Sequence, residues 1–237
     1  MKLTDYAELA PDGPNQVLIH VAEPRDIAAI EADGMAHAAA VRETLLALLS
    51  KSWAHVVYAS SAAVYGDDVS RPRRAHEPVT PGSHYGRAKA ACESQILAVE
   101  GSVARLANLY GPGMAANNVI SDILKQIPGT GPLTVRDGAP VRDYLWVEDA
   151  ARGIADLASK RAGGIVNFGT GRGISVDQLA RSALDLAGET QRHVIASAPA
   201  AKPSHLVLDI TAATRTLGWQ AEVTVEEGLQ VLLATVA

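Results

Sequence analysis

Three short apolar stretches, at residues 17 to 22, 54 to 59 and 102 to 107, alternate with Ala- and Leu-rich stretches at about 34 to 50 and 83 to 99. Apolar runs of this length without polar alternation suit strands buried on both faces, the environment of a parallel sheet. Parallel neighbours need a crossover of a dozen or more residues, and the intervening stretches have helical length. The order strand, helix, strand, helix, strand therefore predicts an α/β chain with a parallel sheet. From residue 113 onward Gly and Pro become frequent (Gly129, Gly131, Pro132, Gly138, Pro140). Further helices are predicted at about 148 to 159, 175 to 187, 209 to 217 and 225 to 236. Capping boxes, Ser175-Val-Asp-Gln178 and Thr224-Val-Glu-Glu227, open the second and the last of these. At 237 residues and 48% hydrophobic content, the chain can bury a large core as one domain, or as one domain with a small lobe.

The reactive residues fall inside this pattern. Ser61 lies in Ala-Ser-Ser61-Ala-Ala-Val-Tyr-Gly at a strand end, and Tyr85-Gly-Arg-Ala-Lys89 follows within the second helical stretch. Tyr85 and Lys89 are four apart, so on a helix they share a face and address one ligand. A free tyrosine titrates near 10, so proton transfer at neutral pH asks for a downward shift of roughly 3 units, worth about 4 kcal/mol. A nearby ammonium supplies part of that by favouring phenolate. Ser61 can donate a hydrogen bond to an oxygen being oxidised or reduced while Tyr85 takes or gives the proton. A bland reading stands beside this, because any helix offers Tyr and Lys at that spacing and Ser61 suits a strand end.

The net charge of −5 and the lack of a basic run argue against nucleic acid as a partner. Cys92 is the single cysteine and cannot form an internal disulfide. There is no secretory h-region and no stretch of membrane length, so a cytoplasmic location without membrane contact is expected.

Seven segments occur in an order that resembles one family. They are Val17-Leu-Ile-His-Val-Ala22, His55-Val-Val-Tyr-Ala-Ser-Ser61-Ala-Ala-Val-Tyr-Gly66, Tyr85-Gly-Arg-Ala-Lys89, Arg105-Leu-Ala-Asn108-Leu-Tyr-Gly-Pro-Gly113, Val141-Arg142-Asp143-Tyr-Leu-Trp-Val-Glu-Asp149, Asn167-Phe-Gly-Thr-Gly171 and Leu217-Gly-Trp219. The chain resembles the extended short-chain dehydrogenases/reductases, in the branch of NAD-dependent nucleotide-sugar epimerases and dehydratases typified by UDP-glucose 4-epimerase. The resemblance implies a Rossmann-like, doubly wound parallel sheet at 1–112. It also implies a smaller α+β substrate lobe, mainly 113–237, with segments at about 141–170 packing back on the sheet. It implies Tyr85 as catalytic acid or base, Lys89 as its partner and as a contact of the nicotinamide ribose, and Ser61 as the residue orienting the reacting oxygen. Ala22 falls beside the cofactor, NAD or NADP. Asn108 and Arg142 match positions that in relatives contact the phosphates of a nucleotide-sugar substrate. A homodimer is expected, since relatives often pair through the Tyr-x-x-x-Lys helix and its neighbour.

Departures from the family pattern narrow this reading. A 4,6-dehydratase of the family places Asp and Glu directly after the Ser61 position, where this chain has Ala62 and Ala63, so dehydration is disfavoured. Lys202-Pro203-Ser204-His205 stands where relatives often carry an Arg-Pro-x-Asp grip on the diphosphate and ribose, and lysine lacks the bidentate fork of arginine. The family's opening strand and Gly-x-x-Gly-x-x-Gly turn, which bind the pyrophosphate, have no counterpart in this sequence, so an N-terminally truncated Rossmann-like domain is expected. The remaining glycine-rich turn, Gly169-Thr-Gly171-Arg-Gly173, reads as a tight turn feeding a helix. In the doubly wound strand order, residues 17 to 22 then become an apolar sheet edge, and a cover is expected from the N-terminal residues, a second copy or a separate fragment. Three functions follow: an epimerase or keto-reductase, a member without redox chemistry that binds a sugar nucleotide or a partner protein, and a dimerisation or scaffold module.

Overall fold

The computed structural model describes residues 9–23, 27–198 and 203–236. In chain order the elements are β1 (Val17–His20), α1 (Ile27–Ala32), α2 (Gly34–Leu49), β2 (His55–Ser61), α3 (His84–Ala98), β3 (Ser102–Leu106), β4 (Asn108–Tyr110), α4 (Val119–Leu124), β5 (Leu133–Val135), β6 (Val141–Arg142), β7 (Tyr144–Trp146), α5 (Val147–Lys160), β8 (Gly164–Phe168), β9 (Ile174–Ser175), α6 (Val176–Leu186), β10 (Val194–Ala196), β11 (His205–Leu206), α7 (Thr211–Leu217) and α8 (Val225–Val236). A 3-10 turn at Ala62–Tyr65 continues directly from β2.

The main sheet has the order β1-β2-β3-β8, and every pair in it is parallel. β3 is buried at all five positions, Ser102 to Leu106, which is why its sequence lacks polar alternation. The two sheet faces have separate cores. On one, Leu18, Val56, Tyr58 and Val103 pack with Val41, Leu45 and Leu48 of α2 and Cys92 and Ile96 of α3. On the other, Val57, Ala104, Leu106, Val166 and Phe168 pack with Ala150, Ile154 and Leu157 of α5. Gly153 of α5 is needed for this approach, because a Cβ there would lie 2.5 Å from the Phe168 ring.

The second lobe has its own core, in which Tyr110, Tyr144 and Trp146 meet Ile120, Ile123 and Leu124 of α4, Leu179 and Ala183 of α6, and Leu229 of α8. Its small sheets are β11-β6-β9, β10-β5 and β4-β7. Both capping boxes form: the Gln178 and Ser175 groups bond reciprocally at the start of α6, and Thr224 and Glu227 do so at the start of α8.

β1 ends at His20, two residues before the predicted end, because Val21 to Glu23 turn away from the ladder towards a cavity. β2 runs on to Ser61, past the predicted end at 59, because Ser60 and Ser61 still pair with Arg105 and Leu106 of β3. β1 is an edge strand, with β2 on one side and no strand on the other among the described residues. Ile19 and Val21, on one face of that edge, are 42% and 62% exposed. The expected cover is therefore not supplied by any described residue, and Met1 to Glu8 lie outside the described set. Among the described residues no helix is long and apolar enough to cross a membrane.

Candidate active site

Ser61, Tyr85 and Lys89 reach one cavity of about 830 Å³, which lies between the carboxyl end of the sheet and the second lobe. The crevice at the carboxyl ends of parallel strands is the expected place for a ligand in such a sheet. Ser61 is the last residue of β2, and its Oγ accepts the Ala63 N–H at 3.2 Å as cap of the 3-10 turn. Tyr85 is the second residue of α3. Ser83 caps that helix by accepting the Gly86 N–H at 3.0 Å. The Glu31 carboxylate of α1 accepts the N–H groups of His84 and Tyr85 at 3.0 and 2.9 Å. These N–H bonds, that of Tyr85 first, hold the Glu31 carboxyl below its usual range.

One turn further along α3, Lys89 is buried, with Nζ 5.7 Å from the centroid of the Tyr85 ring and 4.8 Å from that of Tyr58. Nζ donates to the Ala59 carbonyl at 2.7 Å and to Glu23 Oε2 at 2.9 Å. Glu23 in turn accepts the Tyr58 hydroxyl on Oε1 at 2.7 Å. Burial, followed by the Glu23 charge, pushes the Tyr58 phenol well above its ordinary value, so Tyr58 serves as a donor. His20 stacks on the Tyr58 ring at 5.8 Å, and burial lowers its pKa, with Glu23 opposing and Lys89 adding to the shift. Cys92, on the same helix and fully buried, has its thiol pushed up to about 11 by burial, which makes it a packing residue.

Behind Ser61 the strand is anchored by a buried ion pair. Glu93 of α3 accepts Arg105 Nε at 2.9 Å and Nη2 at 2.6 Å in a fork, and the Ser60 hydroxyl donates to the same carboxylate. The Arg105 guanidinium lies 4.6 Å from the Tyr65 ring centroid, and the Tyr65 hydroxyl donates to Asn167 at 2.7 Å. This network ties β2, β3, β8 and α3 together directly under Ser60 and Ser61.

The remaining predicted residues divide. Asn108 and Arg142 both line the cavity on the second-lobe side. Arg142 donates to the Ser204 hydroxyl at 2.6 Å and to Asp67 at 3.2 Å. Ala22 does not itself line the cavity, although Val21 and Glu23 on either side of it do. Lys202 lies outside the described residues. Sequence reasoning missed Glu23, Asn118, Arg136 and Asp137, all of which line the cavity. The one signal for Asn118 is that of a helix cap, since it precedes a short apolar run and accepts the Ser121 N–H at 3.0 Å. Arg136 is exposed, and its side chain has no hydrogen-bond or ion-pair partner among the described residues. Its only sequence signal is its place in Arg136-Asp-Gly138, just before Arg142.

The glycine-rich turn has an internal ligand. The buried carboxylate of Asp143 accepts the Thr170 N–H at 2.8 Å, the Thr170 hydroxyl at 2.7 Å, the Gly171 N–H at 3.1 Å and the Leu208 N–H at 3.3 Å. A Cβ on Gly169 would lie 2.4 Å from Asp143 Oδ2, and Gly171 has a φ of +72°, so both glycines serve the grip on Asp143. The N–H donors of Thr170 and Gly171 are thus committed to Asp143, and that of Arg172 to the Thr170 hydroxyl.

The description "NAD dependent epimerase/dehydratase family" matches residues 2–169. The chain is 30% identical over 199 residues to UDP-glucuronic acid decarboxylase 1 of Xenopus tropicalis, covering 78% of this chain and 47% of that protein. It is 29% identical over 186 residues to a putative UDP-glucose 4-epimerase of Methanocaldococcus jannaschii, covering 74% of this chain and 60% of the relative. The chain therefore spans about half to three fifths of the length of these curated relatives. UDP-glucose 4-epimerase of Thermotoga maritima, solved with UDP-glucose, superposes with a TM-score of 0.82 at 27% identity, over 92% of this chain and 76% of that one. RMD from Pseudomonas aeruginosa, complexed with NADPH, has the same fold, with a TM-score of 0.87 at 22% identity over 99% of this chain and 85% of that one. With the Rossmann-like parallel sheet, the Ser-Tyr-Lys cavity and the family match over most of its length in agreement, this chain belongs to the NAD-dependent epimerase/dehydratase family.

Proposed function

We propose that this chain carries the proton-transfer and substrate-binding residues of an NAD(P)-dependent nucleotide-sugar epimerase or keto-reductase. The observation that carries the reading is the convergence of Ser61, Tyr85 and Lys89 with Asn108 and Arg142 on one cavity. Two of the relatives in hand bear on the substrate: the Thermotoga enzyme was solved with UDP-glucose, and the Xenopus relative is a UDP-glucuronic acid decarboxylase.

The residues present fit a dinucleotide at its nicotinamide end. Lys89 keeps one ammonium N–H beyond the two engaged by Ala59 and Glu23, and with Tyr85 it would hold the nicotinamide ribose. In the Gly169 to Gly173 turn the Thr170 and Gly171 N–H groups are not offered to a pyrophosphate, because Asp143 takes them. A bound nicotinamide supplies the hydride acceptor and donor. The chain's own residues do the rest. The Ser61 hydroxyl donates to the reacting oxygen, and Tyr85 takes that oxygen's proton as the phenolate or returns it as the phenol, with the Lys89 ammonium beside it. Asn108 and Arg142 orient the anionic part of the substrate from the second lobe.

Removal of water from the sugar is not part of the proposal, because Ala62 and Ala63 put no acid or base after Ser61. The homodimer is part of it: α2 and α3 lie side by side, with Leu46 and Leu97 exposed on them, and sedimentation would report the mass.

Thermal stability followed against NAD, NADP and UDP-glucose tests the binding. A ligand at a hundred times its Kd adds about 2.7 kcal/mol. Tyr85→Phe should abolish turnover while leaving the melting temperature and ligand shifts nearly unchanged. Unimpaired turnover by that variant, or no shift with any of the three ligands at millimolar concentration, refutes the proposal.

A further inference from the structure

Glu23 brings a carboxylate into direct contact with the lysine of the reactive group, and the reading so far gives it no task. Its side chain and that of Lys89 are each 8% exposed, and both residues line the cavity. The pair is braced from below. The Tyr58 hydroxyl holds Glu23 Oε1 at 2.7 Å, the Ala59 carbonyl holds Lys89 Nζ at 2.7 Å, and the His20 ring packs on Tyr58 with Nε2 4.0 Å from Glu23 Oε1.

A census of the remaining hydrogen-bonding capacity says what the pair can take. An ammonium has three donors, and two are in use, on Ala59 and Glu23. A carboxylate has about four acceptor sites, and Tyr58 and Lys89 fill two. What is left is one donor beside free acceptor sites, with the two groups 2.9 Å apart. Two adjacent hydroxyls on a sugar ring ask for that combination, since one accepts from the ammonium and its neighbour donates to the carboxylate. A lysine alone can satisfy only the accepting half of a diol.

We propose that Glu23 and Lys89 together form a clamp for a vicinal diol, with Glu23 as the acceptor that reads the second hydroxyl. This rests on the oxidoreductase reading, which places the ligand at Tyr85 and Lys89. The diol belongs either to the ribose of a nicotinamide nucleotide or to the sugar of the substrate.

Calorimetric titration of wild type, Glu23→Gln and Glu23→Ala separates these. The ligands are nicotinamide riboside, its 2′,3′-dideoxy analogue and UDP-glucose, with circular dichroism confirming that each variant is folded. Wild type should bind riboside about tenfold or more tighter than the dideoxy compound, the effect of one hydrogen bond to a charged group. Glu23→Ala should cut that preference to the share that Lys89 alone supplies, and Glu23→Gln, which keeps a neutral acceptor, should recover part of the loss. Binding of the dideoxy compound should be nearly the same in all three proteins. If the riboside preference is absent in wild type while Glu23→Ala weakens UDP-glucose alone by a similar factor, the clamp holds the substrate's diol. If Glu23→Ala weakens riboside and dideoxy riboside equally, Glu23 reads no hydroxyl and the clamp is refuted. If wild type binds UDP-glucose with no change in either variant and shows no riboside preference, the clamp falls and the proposed function stands. If it binds none of the three, the clamp falls, and the proposed function falls with it where NAD and NADP give no thermal shift either.

Discussion

Replacing Asp143 by Asn tests whether the glycine-rich turn is organised by an internal anion. The carboxylate accepts four hydrogen bonds, from the Thr170 N–H and hydroxyl on Oδ1 and from the Gly171 and Leu208 N–H groups on Oδ2. An asparagine in the same place keeps one oxygen for Thr170 and turns its NH2 towards the other two donors. Two buried N–H groups then face a donor and go unpaired, at about 1 to 3 kcal/mol each. Part of that loss is offset, because the buried charge is gone and its burial is unfavourable enough to raise the Asp143 pKa against the pull of its hydrogen bonds. A net destabilisation of about 2 kcal/mol follows, which lowers the melting temperature by about 4 to 8 °C for a chain of this length. Scanning calorimetry at pH 7 measures it. With the folded pKa above its ordinary value of 3.8, the folded state binds more protons than the unfolded state between the two values. The wild-type contribution from this group is therefore fully present below that window and falls as pH rises through it. The gap between wild type and variant should widen as the pH is lowered from 7 towards 4. An Asp143→Asn protein as stable as wild type at pH 7, with a gap that does not move with pH, refutes the reasoning.

Glu93→Gln should be more damaging, about 3 to 5 kcal/mol, because it strips the charge partner from an Arg105 guanidinium whose side chain is 3% exposed; chemical denaturation would report it, and a loss under 1 kcal/mol would show that the guanidinium is solvated. His20 is held neutral, since burial lowers its pKa below the ordinary 6.5 in a pocket that also contains Glu23, Lys89 and Tyr58. Its contribution is present above that value and lost as pH falls through it. Wild type should therefore lose stability relative to His20→Gln between pH 7 and pH 5, and parallel urea midpoints across that range would contradict the assignment.

The inner strands of the main sheet were legible because β2 and β3 are largely buried and so show no polar alternation, their polar residues such as Arg105 being buried too. Val103 and Ala104 of β3 have no exposed side to mark with a polar residue. The longer helices were legible from their caps and length. α1 and α4 were not, since six residues such as Ile27 to Ala32 carry less than two turns of periodicity and their placement depends on tertiary contacts. Within the site, Ser61, Tyr85 and Lys89 were readable because their chemistry needs fixed residue types at fixed spacing. Glu23 was not, because its meaning arises only when the chain brings it against Lys89, 66 positions away, and an acidic residue after an apolar strand has many uses. Arg136 was missed for a similar reason, since nothing in the sequence distinguishes a guanidinium facing a cavity from one facing solvent.

The carboxylate of Glu31 at the start of α3 gives the cavity a direction. A helix N-terminus carries roughly half a positive charge, and here it opens beside Tyr85, where it would draw an anion towards the reacting residues. Glu31 already sits on its first N–H groups and cancels that pull. Glu23 does the same for Lys89, while Arg142 and the unpartnered Arg136 stand on the second-lobe side. Of the three cations that line the cavity, Lys89 and Arg142 are thus paired with Glu23 and Asp67, and the Arg136 side chain on the second-lobe side is the one without an ion-pair partner among the described residues. A ligand with one charged end and one uncharged end has a single favourable orientation, with its neutral end presented to Ser61 and Tyr85 before any specific contact is made.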